Sequence, residues 1–391
     1  MEYILACNWD KELLLGVRGK NVKSVFGGIP NSIIPGGRAS INISNVNQED
    51  VEEYVKECHA AGLEFNYLIN GTCMDNLEFT KQGYHDILKH LEWLAKIEVD
   101  SVTITLPFII ELVVKHFPHI KVEVSSFQKI DTVARAKRFE DMGVHSLMLL
   151  EHINRDFKVL KAIRQSVDCE IILLGNVGCI YGCASYFSHS NFQAHGSQAN
   201  HCTEGFAADG YMMDCTYKKI MNPMEFIRGR WIRPDDVHHY EEIGIDTIKI
   251  LERRCTTRAL LERLDYYNQQ KYSGNLINIL GQMPNEKEYL APNPLYLMNE
   301  KYANVIRVLK TLSVVEKAPL SDAIYVDNDK IPRDFLDYFK KVDCRALSCD
   351  HCRYCHKIAD QVISFNEELI EKTREKFKKI KSGLIMGDVF V

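Results

Sequence analysis

No run of about 18 consecutive apolar residues, the length a bilayer-spanning helix needs, occurs anywhere in the 391-residue chain. Its opening, MEYILACNWD, lacks a basic stretch followed by a long apolar one, so no secretory signal and a cytoplasmic setting are expected. Positive charge is not in excess either. Lys and Arg number 48 against 53 Asp and Glu, a net charge of −5, and no global basic field invites nucleic acid. Three motifs are missing as well. No GxGxxG follows the first strand candidate, and HExxH and GxSxG do not occur, which weighs against a dinucleotide-binding sheet, a zinc peptidase and a serine hydrolase. Internal repeats and low-complexity tracts are also absent.

What is present is ordinary in bulk and unusual in detail. Apolar residues make up 46% and charged residues 26%, enough to bury a large core. The first 270 residues alternate short β-rich runs with amphipathic stretches. Strands are expected at Tyr3–Ala6, Val22–Phe26, Glu64–Ile69, Ser101–Thr105, Lys121–Ser125, Ser146–Leu149, Glu170–Leu174 and Asp246–Ile250. Helices are expected at Asp50–Ala61, Tyr84–Ile97, Thr132–Met142, Asp156–Arg164 and Asp235–Glu242, with Gly62, Gly143 and Gly244 closing three of them. A strand returning parallel needs a crossover helix, so eight such units predict an α/β fold, a TIM-like (β/α)8 barrel. An open doubly wound sheet is the alternative.

Two long connections interrupt this rhythm. Residues 178–233, rich in Cys, His, Tyr, Ser and Asn, form a rim insertion where the loops after the strands meet. Residues 271–343, carrying Pro284, Pro292, Pro294 and Pro319, read as an irregular extension packed on the 1–270 barrel. Residues 344–391 form a Cys-rich metal-binding segment and a charged helix from about Phe365 to Lys381.

The cysteines carry the chemistry. In a reducing compartment, 13 cysteines with uneven spacing are better metal ligands than disulfides. Cys344, Cys349, Cys352 and Cys355 stand at C-x4-C-x2-C-x2-C, a spacing that wraps a cuboidal 4Fe–4S cluster. A four-thiolate zinc site is the alternative there, and His351 and His356 are expected on the solvated side. Within the rim insertion lie Cys179-IYG-Cys183, Cys202 and Cys215, and Cys73 follows directly on the third strand. Thiolates converging from separate rim loops suit a reactive centre. Cys7, Cys58, Cys169 and Cys255 read as structural thiols.

Other rim positions are polar. Asn70, Glu151, His152 and Arg253 are candidate catalytic residues and Asn176 a candidate cofactor-binding one, each following a barrel strand. Arg253 is suited to grip a carboxylate or phosphate, and a salt bridge to a nearby acid is its plainer reading. Ser125 and Ser126 are expected to cap. His189, His195 and His201 read first as surface or capping histidines, and Asn154-Arg155-Asp156 reads as a helix start.

Three phrases are familiar: HINRDFKVLKAIRQ, GNVGCIYGC and WIRPDDVHHYEEIGIDTIKILER. Across residues 20–270 the chain resembles the U32 "peptidase" family. That resemblance implies a TIM-barrel-like fold and cysteines that bind a 4Fe–4S cluster. It also implies oxygen-independent hydroxylation of quinone precursors or of RNA bases, while other members were named as collagenase-type peptidases. Cys179 and Cys183 are carried over as ligands, then Cys202 and Cys215, with Cys73 a substitute for Cys202. Two departures stand out. Only three residues separate Cys179 from Cys183, where many relatives have six, and Glu252 occupies a glycine position in the KILER phrase.

The resulting expectation is an iron–sulfur-dependent modifying enzyme with two 4Fe–4S clusters, or one cluster and a zinc at the C-terminal group. Oxygen-independent hydroxylation or related redox chemistry leads, on a small-molecule, peptide or RNA substrate, with an electron-donor protein as candidate partner and no membrane. A U32-type peptidase and a sulfur-transfer or redox enzyme with an open cluster are the alternatives.

Overall fold

In a computed structural model, which describes residues 1–207, 209–281, 288–298, 300–303 and 320–388, eight parallel strands close into a barrel. They are β1 Glu2–Ala6, β2 Val22–Gly27, β3 Glu64–Ile69, β4 Ser101–Ile104, β5 Lys121–Val124, β6 Ser146–Met148, β7 Glu170–Leu174 and β8 Thr247–Ile250. Closure is made by β1 against β8, with Glu2 beside Thr247 and Leu5 beside Ile250. The expected strands match to within a residue at each end, because runs buried on both faces are continuous in sequence and turn residues bound them. Pro284 and Pro319 lie outside the described residues.

The surrounding helices start where the sequence offers caps. They are α1 Lys11–Gly16, α2 Gln48–Ala60, α3 Lys81–Lys96, α4 Pro107–His116, α5 Val133–Glu140 and α6 Phe157–Arg164. Asn47 and Asp50 make a reciprocal capping box on α2, and Thr80, Thr132 and Asp156 cap α3, α5 and α6 through side-chain oxygens. Each such cap is worth about 1 kcal/mol. Residues 178–233 are more regular than a long loop: α7 Tyr186–His195, α8 Gly210–Met221 and α9 Met224–Arg228 stand over the mouth. Low apolar periodicity hid α7, whose faces are mixed in polarity. The expected Asp235–Glu242 helix is a 3₁₀ turn, Pro234–Asp236, followed by α10 His238–Glu241, and α11 Thr257–Asn268 closes the last unit.

The C-terminal segment adds a two-stranded antiparallel ribbon, β9 Ile324–Val326 with β10 Ile363–Phe365, and a terminal helix Glu367–Met386. Trp231, Phe335 and Tyr354 stack in series, with ring centroids 5.9 Å apart at each step, and fasten this segment to the barrel. Among the described residues no helix is long and apolar enough to cross a membrane.

The barrel interior is partly polar. Near its N-terminal end Lys23 pairs with Glu170 at 2.6 Å. Higher up, Asn66, Ser101, Thr103 and Glu123 bond to one another across β3, β4 and β5. Lys249 on β8 is the exception: it is 2% exposed, its Nζ has no hydrogen-bond partner, and it lies 4.1 Å from the Phe26 ring centroid. Burial pushes its pKa down to about 8, against a weaker upward pull from Glu123. A folded pKa below the unfolded one means that stability rises as pH climbs from about 8 towards 10.5, where only the unfolded chain still binds the proton. Lys249→Met is therefore expected to raise stability at pH 7 by about 2 kcal/mol and to flatten that alkaline rise. Urea denaturation at pH 7 and pH 10 measures both, and an unchanged or lower midpoint at pH 7 would refute the expectation.

Candidate functional site

The site is assembled at the barrel mouth from the loops after β6 and β7. Glu151 opens a 3₁₀ turn, Glu151–Ile153, directly after β6, and is 3% exposed. Burial raises its pKa to about 7, despite a hydrogen bond from the Tyr186 hydroxyl at 3.3 Å and the nearby Lys129 ammonium. His152 is pushed down to about 4 by burial and by the Arg230 and Lys129 charges. Its 4.0 Å approach to Glu151 therefore joins two groups that are largely uncharged just below neutral pH, and is no ion pair. Burial also lowers Lys129 to about 8, and its ammonium lies over the Tyr186 and Phe187 rings.

The Cys179–Cys183 loop is pinned by cations from two helices. Lys219 of α8, 2% exposed, donates to Gly178 O, and Arg228 of α9 donates to Tyr181 O at 3.2 Å. Gly182 turns the chain between Cys179 and Cys183 at φ +70, a backbone state that glycine takes without penalty. Cys179 has Glu151, Cys215 and Cys183 as electrostatic neighbours. Burial first, and then those negative neighbours, push the Cys179 thiol far above its ordinary range.

Cys73 and Cys202 are placed with different partners. Cys73 Sγ accepts from Asp75 N at 3.4 Å, and Cys202 Sγ lies 3.8 Å from His201 Nδ1. Asp75 in turn meets His195 and His201. The two groupings mark opposite ends of α7: the Tyr186 hydroxyl reaches Glu151 at one end, and His195 meets Asp75 at the other. The ten residues of that helix rise by about 13 Å from first to last.

Asn70 and Asn176 are committed to structure. Asn70 Oδ1 accepts from Gly37 N at 2.8 Å and so holds the loop after β2. Asn176 uses its whole amide: Oδ1 accepts from Leu251 N at 2.7 Å, while Nδ2 donates to Leu251 O and Ile279 O. It clamps the ends of β7 and β8 to the extension and leaves no donor for a cofactor. Arg253 differs: it is half-buried, with no hydrogen-bond or ion-pair partner among the described residues, while neighbouring Glu252 pairs with Arg38. The nearby acid Glu252 is paired with Arg38, and burial and then the Arg38 charge lower the Arg253 pKa to about 9, which leaves its guanidinium charged at neutral pH.

At the C-terminal group, Cys355 has Cys344 and Cys349 as electrostatic neighbours, and Cys352 Sγ lies 2.9 Å from the Tyr338 hydroxyl. The turn Cys349–Cys352 ends at Arg353, whose left-handed φ of +52 starts the next helix, Tyr354–Val362. Arg155 and Arg230, both under 5% exposed, border Cys355. Each keeps two buried N–H-bearing nitrogens without a partner, Nε and Nη2 of Arg155 and Nε and Nη1 of Arg230. Uncompensated buried guanidinium groups are costly, and four thiolates around iron–sulfur or zinc would bring the missing negative charge. The donor set fits a metal group of either kind.

Arg155 was hidden in sequence because Asn154-Arg155-Asp156 does start a helix: Asp156 caps α6 while Arg155 turns inward onto Trp231, 4.2 Å from its ring centroid. Arg230 also stacks at 3.8 Å on Tyr181, inside the Cys179–Cys183 loop, so one side chain touches the surroundings of both cysteine groups. His351 is exposed as expected, whereas His356 is half-buried. A cavity of about 200 Å³ at the ends of β3 to β5 is lined by Thr72, Thr105, Phe127, Lys129, Phe187 and Asn191. That is below the roughly 300 Å³ of usual ligand pockets, and suits a single ring or side chain.

Comparison with known proteins adds sequence kinship. The model of the family described as Peptidase family U32 matches residues 20–270. A relative from Methanocaldococcus jannaschii named "Uncharacterized protease MJ1657" is 24% identical over 339 residues, covering 87% of this chain and 88% of its own. Among solved structures, the U32 peptidase Mk0906 superposes with a TM-score of 0.49 at 21% identity, covering 64% of this chain and 92% of that one. FabK from Thermotoga maritima gives a TM-score of 0.28 at 13% identity, over 50% of this chain and 56% of that one.

Proposed function

Because the chain belongs to peptidase family U32, we propose that it is an iron–sulfur-dependent modifying enzyme carrying out oxygen-independent hydroxylation or related redox chemistry. The observation that carries this reading is buried Cys179 at the barrel mouth, with Glu151, Cys215 and Cys183 as its electrostatic neighbours. Cys179, Cys183 and Cys215 would hold a cubane cluster, which would supply Lewis-acid and electron-carrying chemistry there.

The chain's own residues would do the rest. Glu151, with its pKa about 7, exchanges a proton near neutral pH, and the Tyr186 hydroxyl fixes its carboxylate. Arg253 offers a charged fork for a substrate anion. The small cavity favours one ring or side chain at a time, such as a compact aromatic molecule, a protruding base or a peptide side chain. Arg230, stacked on Tyr181 and bordering Cys355, favours an electron relay between the two cysteine groups.

Peptidase action is the second reading, resting on the name of the Methanocaldococcus jannaschii relative. The raised thiol of Cys179 weighs against it, since a protonated thiol is a poor nucleophile. Anaerobic purification with iron and sulfide counting and electron paramagnetic resonance tests the leading reading, with about eight irons per chain expected. About four irons together with one zinc would make the C-terminal group structural. Purified protein free of iron that still cleaves peptides would replace the redox reading with the peptidase one.

A further inference from the structure

Away from both cysteine groups used above, a third set of metal-ligating side chains converges. Asp75 sits in the loop after β3, at φ +54, and is followed by Asn76 at φ +66. Its carboxylate faces two imidazoles at once: His195 Nε2 lies 3.2 Å from Oδ1, and His201 Nε2 lies 3.3 Å from Oδ2. The two rings stack, with centroids 4.5 Å apart and planes 11° apart. Cys73 Sγ lies 3.9 Å from Asp75 Oδ1. Ligand atoms of Cys73, Asp75 and His195 all fall within 4.8 Å of one another.

We infer that Cys73, Asp75 and His195 form a zinc site, with His201 holding the Asp75 carboxylate in place, distinct from the two cysteine groups and independent of the iron–sulfur reading. Bond lengths of about 2.0–2.3 Å in a tetrahedron put neighbouring ligand atoms roughly 3.3–3.8 Å apart, and the 3.2 and 3.9 Å contacts of Asp75 Oδ1 with His195 and Cys73 lie near that range. A donor set of one imidazole, one carboxylate and one thiolate suits zinc better than a hard cation or an iron–sulfur cluster.

The surroundings agree. His195 Nε2 is shut from solvent, yet has no hydrogen bond of good geometry. His201 Nδ1 lies 3.0 Å from Thr203 Oγ1, and the Thr203 hydroxyl donates to His195 O at 3.0 Å. The Thr203 backbone N–H donates to His201 Nδ1 at 3.2 Å, which leaves the proton on Nε2 facing Asp75 Oδ2, so His201 orients the carboxylate and leaves Oδ1 for a metal. The Asp75 N–H pointing at Cys73 Sγ is the kind of bond that stabilises a thiolate ligand. A Cys–His–Asp nucleophilic triad is the competing use of these residues. It engages one imidazole in line between thiol and acid, and gives no role to a second imidazole aimed at the same carboxylate.

The test is a Co²⁺ titration of the full chain under anaerobic conditions, read as difference spectra against the protein as purified. One equivalent is expected to give tetrahedral d–d bands with a thiolate-to-cobalt charge-transfer band. Cys73→Ser should remove the charge-transfer band, and His195→Gln and His201→Gln should each weaken binding at least about tenfold. Cys179→Ser and Cys349→Ser should leave the spectrum unchanged. Asp75→Asn, with folding checked by circular dichroism, serves if Cys73→Ser does not fold. The inference is overturned if Cys73→Ser and His195→Gln both bind cobalt as the parent does. It is equally overturned if iodoacetamide alkylates Cys73 as fast with Zn²⁺ present as without, the result a nucleophilic triad would give.

Discussion

Replacing Cys179 by serine is expected to lower bound iron from about eight to about four atoms per chain and to abolish turnover, while the signal of the C-terminal group persists. The expectation follows from where the thiol sits. Its loop is held by Lys219 at Gly178 and Arg228 at Tyr181, so the backbone has little freedom to offer another ligand. Burial and the negative neighbours Glu151, Cys215 and Cys183 keep the bare thiol protonated. It becomes a thiolate only when a metal displaces the proton, and serine makes no such exchange near neutral pH. Cys169→Ser is the matched control, because that half-buried cysteine immediately precedes β7, at the barrel end opposite the mouth, beside Glu140. Iron content equal to the parent's in Cys179→Ser would remove the proposed reaction centre.

Arg38→Ala is expected to cost about 3–5 kcal/mol of stability, because it strands a buried carboxylate. Glu252 is 4% exposed and sits at φ +103, a conformation side-chain-bearing residues rarely adopt. Arg38 grips both of its oxygens, with Nη2 3.2 Å from Oε2. Burial alone would raise the Glu252 pKa, but the guanidinium outweighs it and holds the carboxyl at about 2. A folded pKa below the unfolded one contributes stability that is present above about pH 4.5 and fades as pH falls towards 2. Arg38→Ala should flatten that acid limb as well as lower the midpoint in denaturant. The double variant Arg38→Ala, Glu252→Gly should recover part of the loss, because glycine relieves a backbone strain of about 1–3 kcal/mol and removes the stranded charge. A single variant as stable as the parent, or a double variant no better than the single, would contradict this account. The strained turn precedes Arg253, so it also helps set where the free cation of the mouth stands.

The barrel was legible in the sequence because its signals are local. Val-, Ile- and Leu-rich runs of three to six residues mark strands buried on both faces, and Gly62, Gly143 and Gly244 adopt the positive φ that ends a helix before the next strand. Spacing also nominated the C-terminal thiols, since C-x2-C-x2-C brings each successive thiolate round one corner of a cuboidal cluster. The U32 phrases within residues 20–270 coincide with the span matched by the family model. The Asn176 clamp was not legible. An asparagine after a strand looks the same in sequence whether its amide faces a ligand or, as here, is spent on Leu251 and Ile279.

Which thiols keep company with one another is likewise a property of the closed barrel alone. Cys73 and Cys202 were grouped in sequence with the rim cysteines, yet α7, a helix without a clear apolar face, puts Asp75 and two histidines around them at its far end. Arg155 and Arg230 come to Cys355 from about 200 and 125 positions away in the chain. Local chemistry and periodicity determined the strands, the helices and the kind of ligand on offer. Only closure of β1 on β8, which brings loops distant in sequence to one mouth, decided which ligands meet and which charges are left buried without a partner.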